Sequence, residues 1–496
     1  MTVLRRGGSE SIVAADVRAS LRGRPPGTLE VGRGNAIMLE GRCVTPGARI
    51  ADLRVRVGEN EARAVTRGLP EQGRLTGTEW WEALVPIPSV ARPQQAVVEL
   101  RVRLRGGTEI ARELGSVRLE PGARPSATPA IDGGEARLAT SGRVAICLAT
   151  FDPPLTLLRR QIESIRAQTH GDWICIVSDD CSPPRKWREL VRLVGGDERF
   201  LLTRAEERGG VYRNFERVLR MVPTNAAFVA LADQDDRWDE DKLETLLGAL
   251  GERDVLAHSD ARVVSHDGEL ISATFWPRGA PRDDRLEALL LASAVTGASC
   301  LFRRSVLDWA LPFPVPIGDV YHDSWIALVC SALGGIAYVD RPLYDYVQHS
   351  GAALGHGATT EPGRRWRESR LRAYRRRLAS LRRRRFHPNW RRHDRVLMRS
   401  AQEAEVLRLR LGERMSPAER RAVARIARLP DSLRAQARIL IRHLARAPRR
   451  LPGRDGALAR AIAWRRLVRV RTLLHSAFGG LRRALGAFRP DLDRAA

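Results

Sequence analysis

The 496-residue sequence predicts an α/β protein. A doubly wound, mostly parallel sheet is preceded by a small all-β sandwich and followed by a basic helical region. Three observations carry this. Between 34 and 120, short runs alternate apolar and polar residues and are punctuated by Gly, Pro and Asn. From 143 onward, continuous apolar runs alternate with patterns of helical period, the signature of strand–helix–strand units. Beyond 361, Leu, Ala and Arg recur at helical spacing. The chain is longer than one typical domain, and its apolar share of 43% suffices for more than one core.

Residues 1–33 are polar, contain Gly and Pro, and are expected to be flexible. The opening MTVLRRGGSE lacks the apolar stretch of a secretory signal. In 34–120, AIMLEGRCV, ADLRVRVG, EWWEALVPI, QAVVELRVRL and LGSVRLE read as strands of an immunoglobulin-like sandwich. It holds no cluster of His, Cys or paired acids. It reads as a packing or interaction module, with carbohydrate contact through Trp80 and Trp81 as the other reading. Residues 121–142 are a linker by composition.

The segment 143–360 opens with RVAICLAT as a buried strand and PLTLLRRQIESIRAQ as a helix. DWICIVSDD, RFLLTRA and AAFVALADQDD are further strands. Between and after them PRKWRELVRLV, VYRNFERVLRMV and EDKLETLLGALG are helices. Open α/β sheets bind ligands at the carboxyl ends of their strands. The polar clusters CLATFD, IVSDDCS and LADQDD each follow an apolar run, where that rule requires them.

Charge is concentrated in the last region, 361–496. Residues 364–496 hold 39 arginines and ten acidic residues, whereas the whole chain has a net charge of +26. Prolines at 388, 417, 430, 448 and 452 divide the region into several helices. Lys186 and Lys242 are the only lysines, so part of the arginine excess reflects coding bias; that bias does not explain the scarcity of acids. The run ALLLASAVTGASCLF at 288–302 is too short to span a bilayer and is interrupted by Gly297. Six scattered cysteines without a CxxC pair point to a reduced, cytoplasmic protein.

The stretch LADQDDRWDED, 231–241, concentrates six carboxylates in a basic protein. It is not an EF-hand, because Arg237 and Trp238 stand where a ligand and the turn glycine belong. It is not half of a P-loop site, because neither lysine lies in GxxxxGK[ST]. Asp239, Glu240 and Asp241 need only the favourable field of a helix start. Asp233 and Asp235 end a buried strand and repel one another unless a cation neutralises them. Mg²⁺ or Mn²⁺, shared with substrate phosphates, is the natural partner of such oxygens.

Residues 143–349 resemble the family-2 glycosyltransferases of GT-A (Rossmann-like) fold, nearest to their rhamnosyltransferase-like branch. The resemblance implies that DQDD is the DxD element. Asp235 is then the metal ligand, Asp233 touches the donor ribose or the ion, and Asp236 orients the loop. His349 in YDYVQHSG completes the metal site by the same resemblance. Thr150, Phe151 and Asp152 frame the nucleotide base, although Asp152 and Pro153 equally suit a helix start. In VSDDCS, the resemblance implies that Asp179 recognises base or ribose and that Asp180 also binds the donor, while a plain cap is the alternative for Asp180 and Ser182. In RGGVYRNF, Gly209 and Gly210 admit close backbone approach to the donor, and Arg213 faces either phosphate or solvent. In VYHDSW, His322 replaces the first member of an acidic pair, Asp323 is the catalytic base, and Trp325 supports it; an N-cap role for Asp323 is the alternative. TGASC, 296–300, corresponds to the lining of the donor-sugar pocket.

The activity implied is inverting transfer of a hexosyl or rhamnosyl group. The donor is a nucleoside-diphosphate sugar, dTDP- or UDP-linked. The acceptor is a hydroxyl of a cell-surface polysaccharide or lipid-linked glycan. Arginine-rich amphipathic helices suit an anionic membrane at the inner face of the cell membrane. The rival reading is a basic nucleic-acid- or membrane-binding protein with a non-catalytic GT-A domain. No recognised nucleic-acid motif accompanies the charge. A nucleotidyltransferase is disfavoured because LATFDPPL has no glycine after the first strand.

Overall fold

The structure, a computed structural model, describes residues 17–45, 48, 50–66, 79–122, 142–276, 285–348 apart from 292 and 294, 390–445, 458 and 462. The first nine strands are β1 (Arg18–Leu21), β2 (Thr28–Glu30), β3 (Gly34–Val44), β4 (Ile50–Val57), β5 (Asn60–Arg63), β6 (Val65–Thr66), β7 (Glu79–Pro88), β8 (Gln94–Leu104) and β9 (Glu109–Glu120). They form two sheets, β1-β3-β7-β6 and β2-β9-β8-β4-β5. The inner faces bury Ile37, Leu39, Val55, Trp81, Val85, Val98, Leu100 and Val117 in one core. Alternation along β8 explains the split between faces, because successive side chains of a strand point to opposite sides.

One correction concerns the start of this unit. The sandwich begins before residue 34: β1 pairs with β3, β2 pairs with β9, and Val17, Leu29 and Val31 are core residues. These strands are three and four residues long. They are too short to show the alternation that marks the later ones.

A third sheet begins with β10 (Val144–Thr150), β11 (Trp173–Asp179), β12 (Phe200–Arg204) and β13 (Phe228–Asp233), joined by α1 (Leu155–Arg166), α2 (Pro184–Val194) and α3 (Val211–Leu219). Next come β14 (Arg237–Trp238), α4 (Lys242–Ala249), β15 (Asp254–Ser265), β16 (Leu270–Ser272), α5 (Leu286–Leu289), β17 (Cys300–Arg303), α6 (Leu307–Ala310), α7 (His322–Leu333) and β18 (Gly335–Gln348). Among the described residues this is a nine-stranded sheet of order β12-β11-β10-β13-β17-β15-β18-β14, with β16 on β15. β12, β11, β10 and β13 are parallel. All seven residues of β10 are buried, as expected of a strand covered on both faces. The chain runs outward from β10 to β12, then crosses to the other side of β10 as β13. Open α/β sheets place their ligand crevice at such a switch point.

Three further helices follow: α8 (Trp390–Leu411), α9 (Pro417–Ala427) and α10 (Leu433–Ala445). The expectation of a lipid-facing arginine helix does not hold for α8. From 394 to 411 only Arg408 is exposed, and Leu397, Met398, Ala404, Leu407 and Leu411 join the core of the nine-stranded sheet. Its arginines are used internally. Arg395 pairs with Glu40 of β3 at 2.7 Å. Arg410 donates to the carbonyls of Gly34 (2.8 Å), Trp309 (2.8 Å), Ala310 (3.0 Å) and Pro312 (2.7 Å). Burial works against its charge and lowers its pKa, while four carbonyl dipoles favour it. Gln402 adds a bond to the Ala36 carbonyl at 2.8 Å. The periodicity of the tail identified a helix, but not that this helix wedges between sandwich and α/β unit.

Truncating Arg410 strands those four carbonyls. Arg410→Ala is expected to cost on the order of 3 kcal/mol in urea unfolding. Arg410→Lys should recover only part of this, since an ammonium lacks the planar fork.

Candidate active site

The crevice is framed by the ends of β10 and β13. Residues 151 and 234 are locked across it: Phe151 N–H donates to Gln234 Oε1 at 2.8 Å, and Gln234 Nε2 donates to Phe151 O at 3.1 Å. Gln234 is an uncharged residue between Asp233 and Asp235, and nothing local in the sequence marks this role. Arg208 lies over the Phe151 ring, 3.8 Å from its centroid. The loop leaving β10 is strained, with Asp152 at φ 39°. It is held by Ser182 Oγ, which accepts from Asp152 N–H at 2.8 Å.

Asp179 ends β11 beside Thr150 and is fully buried. It accepts from Thr150 Oγ1 at 3.2 Å, from Ser182 N–H at 2.9 Å and from Ser182 Oγ at 2.5 Å, with Arg204 at 3.5 Å. Asp180 is also fully engaged. Its two oxygens accept the N–H groups of Gly209 and Gly210, each at 2.8 Å. Asp180 therefore shapes the turn, and its charge is spent on two amides and not left free for a donor. Gly210 has φ 81°, a conformation that suits glycine. Arg213 pairs with Glu216 on its own helix and points no free charge at the crevice. Asn214 bridges the Ser178 carbonyl (2.8 Å) and the Thr150 carbonyl (3.3 Å), tying α3 to both strand ends.

Beyond β13 the carboxylates divide. Asp239 pairs with Arg262 and Asp241 with Arg341 at 2.5 Å. Asp236 is 2% exposed. One of its oxygens accepts from Val347 N–H at 3.4 Å, and the other has no partner. Burial, reinforced by Asp235 and Asp233, pushes its pKa well up, which favours its neutral form. Asp233 is half-buried. Burial first, then the charges of Asp235 and Asp323, raise its pKa to about 7.

Asp323 sits in the first turn of α7. Its Oδ2 accepts from Gly297 N–H at 3.2 Å and its Oδ1 from Ser324 N–H at 2.5 Å. The tertiary fold thus brings Asp323 within electrostatic reach of Asp233, some ninety positions earlier. His322 faces inward, its ring stacked on Phe215 with centroids 3.6 Å apart. Burial lowers its pKa to about 4, so it is a neutral packing ring at physiological pH. Trp325 is a core residue whose indole N–H donates to the Ala310 carbonyl at 2.9 Å. His349 lies outside the described residues.

The donor chemistry fits a hard divalent ion. Asp233 and Asp235 supply carboxylate oxygens at one edge, and a cation there relieves the repulsion that raises Asp233. No group of three or more His, Cys, Asp or Glu among the described residues is arranged to hold a metal. Further oxygens would come from a diphosphate or water.

Residues 146–309 match the family model "Glycosyl transferase family 2". That stretch, about a third of the chain, is similar to family-2 glycosyltransferases. The domain is 28% identical over 136 residues to "Uncharacterized protein y4gI" of Sinorhizobium fredii, covering 27% of this chain and 14% of that protein. It is 27% identical over 132 residues to the "Putative teichuronic acid biosynthesis glycosyltransferase TuaG" of Bacillus subtilis, covering 26% of this chain and 52% of that protein. The chain thus spans 14% and 52% of the length of these relatives. Among solved structures, S. aureus TarS 1–349 in complex with UDP-GlcNAc aligns with TM-score 0.39 and 14% identity, over 66% of this chain and 90% of that one. The mannosyltransferase PcManGT of Pyrobaculum calidifontis, in complex with GDP-Man and Mn²⁺, aligns with TM-score 0.34 and 17% identity, over 68% and 88%.

A depressed folded-state pKa means that the His322 share of stability is present above its ordinary value of 6.5 and lost as pH falls toward about 4. His322→Gln should therefore be about 2–3 kcal/mol less costly at pH 4.5 than at pH 7 in urea unfolding. An equal cost at both would show that His322 titrates normally.

Proposed function

We propose that this chain is an inverting, divalent-metal-dependent glycosyltransferase. It moves a hexosyl or rhamnosyl group from a nucleoside-diphosphate sugar to a hydroxyl of a cell-surface polysaccharide or lipid-linked glycan. The observation that carries the reading is the set of polar residues at the adjacent parallel strand ends of β10, β11 and β13, with Asp323 held by the Gly297 amide and its charge felt at Asp233. In this reading Asp233 serves the donor side and Asp323 the acceptor side. The name of the TuaG relative supports a surface polysaccharide as the product.

In this reading Phe151, Asp179 and the Gln234-bridged loop form the nucleotide pocket, and the strained Asp152 turn closes it. Asp323 accepts the proton of the acceptor hydroxyl while its oxygen attacks the anomeric carbon. The bond from that carbon to the diphosphate oxygen breaks, and a single displacement inverts the centre. A positioned base of this kind contributes roughly 10²–10⁴-fold. Asp233 and Asp235 would hold the divalent ion, which when bound offsets negative charge on the leaving diphosphate. The Gly297 amide fixes the Asp323 carboxylate through its N–H.

A thermal-shift panel of UDP- and dTDP-sugars with Mn²⁺ or Mg²⁺ should identify the donor, and EDTA should abolish turnover. Asp323→Asn should lower kcat by about 10²-fold or more and leave UDP or dTDP affinity near wild type. Full turnover by that variant would remove Asp323 from the role of base.

Membrane association is the second reading, and α10 favours it. Leu433 and Ile441 are 61% and 65% exposed on a helix that also carries Arg434 and Arg438. No helix among the described residues is long and apolar enough to cross a membrane. Such a surface would bring a cytoplasmic enzyme to a lipid-linked acceptor. The full chain should float with anionic but not neutral liposomes, and floating with neither would end this reading.

A further inference from the structure

Lys242, at the start of α4, is fully buried directly behind the carboxylate cluster. Two aromatic rings and a carbonyl hold it, not a paired carboxylate. Its ammonium lies 3.9 Å from the centroid of Trp238 and 4.7 Å from that of Tyr344, and it donates to the Ala298 carbonyl. Burying an ammonium is costly, and a methionine or leucine would fill the same space without that cost. Packing alone therefore does not account for a lysine here.

The carbonyl it grips belongs to the one-turn 3₁₀ segment Gly297–Ser299. Tyr344 holds the same segment from the other side, its hydroxyl 3.0 Å from Thr296 Oγ1. The next residue, Gly297, gives its N–H to Asp323. The turn is pressed onto α7 so closely that a Cβ on Gly297 would lie 2.8 Å from His322 Nε2. A displacement of Ala298 therefore reaches the Asp323 carboxylate through one peptide unit. The same ammonium acts on Asp233 and Asp236 through its field.

We propose that Lys242 is a positioning residue for sugar transfer: its buried ammonium anchors the 297–299 turn and, through the Gly297 amide, sets the Asp323 carboxylate opposite Asp233. The proposal rests on the reading of Asp323 as the base.

The test compares wild type, Lys242→Met and Lys242→Arg as full chains. Hydrogen exchange is measured by mass spectrometry, UDP and dTDP binding with Mn²⁺ by calorimetry, and turnover as nucleoside-diphosphate release. In Lys242→Met, exchange across 296–302 should accelerate by roughly tenfold or more while β10 and β11 stay protected. Turnover should fall by about 10²-fold, as for a misplaced catalytic group. Nucleotide affinity and donor KM should stay within roughly threefold, and Lys242→Arg should recover part of the loss. Unchanged exchange in 296–302, or wild-type kcat, overturns the proposal. So does a uniform loss of protection with nucleotide affinity falling in parallel, because that marks a general folding role. If Lys242→Met does not fold, Lys242→Arg decides: reduced kcat at unchanged nucleotide affinity supports the proposal and wild-type kcat overturns it. Local loosening at 296–302 in a background where Asp323→Asn remains fully active would refute the base while leaving the anchor intact.

Discussion

The structure turns on the desolvation of carboxylates at the end of β13. Six residues of that strand lie in the middle of the sheet, so its last residue, Asp233, is delivered to the rim of a low-dielectric crevice. Its charge is disfavoured there by burial and by Asp235 and Asp323. Each neighbouring feature answers that cost. Asp236 is pushed toward its neutral form, Lys242 brings a positive charge from behind, and the open side suits a cation with a diphosphate. Asp239 and Asp241 are spared the problem by Arg262 and Arg341. The crowded acids thus differ in setting: Asp233 and Asp236 are held toward their neutral forms, and Asp239 and Asp241 are in ion pairs.

The nucleotide side follows a different logic, in which carboxylates shape backbone. Asp180 spends both oxygens on the Gly209–Gly210 turn, and Asp179 orders Ser182 and Thr150. These bonds hold two strained residues, Asp152 and Cys181, both at positive φ. Strain of this kind persists only where surroundings over-determine the conformation, and here the surroundings are hydrogen bonds from three separate strand ends.

Arginine is structural as well as electrostatic in this chain. Arg410, Arg395 and Arg220 link units that lie far apart in sequence, the last through Glu30 at 2.6 Å. Such contacts make α8 a shared wall of the sandwich and the α/β unit. Net charge counted along the tail overstated what is available for a partner, because a buried arginine saturated with carbonyls adds to the count without adding to the outer field.

The sequence by itself determined the α/β class, the all-β segment before it, the helical tail, and the three polar strand ends at Thr150, Asp179 and Asp233. Those features are local: period-two and period-3.6 patterns and abrupt polarity changes are written in neighbouring residues. The DxD-like cluster was legible because six acids in eleven positions are conspicuous. Only the tertiary structure decided which of those acids are paired, since Arg262, Arg341 and Val347 come from elsewhere. Only it brought Asp323 to Asp233, seated His322 on Phe215, and turned an arginine-rich helix inward. The roles of Gln234 and Lys242 are non-local for the same reason. Their significance lies in the Phe151 backbone and the Ala298 carbonyl, and no spacing rule connects positions that meet only when the sheet closes.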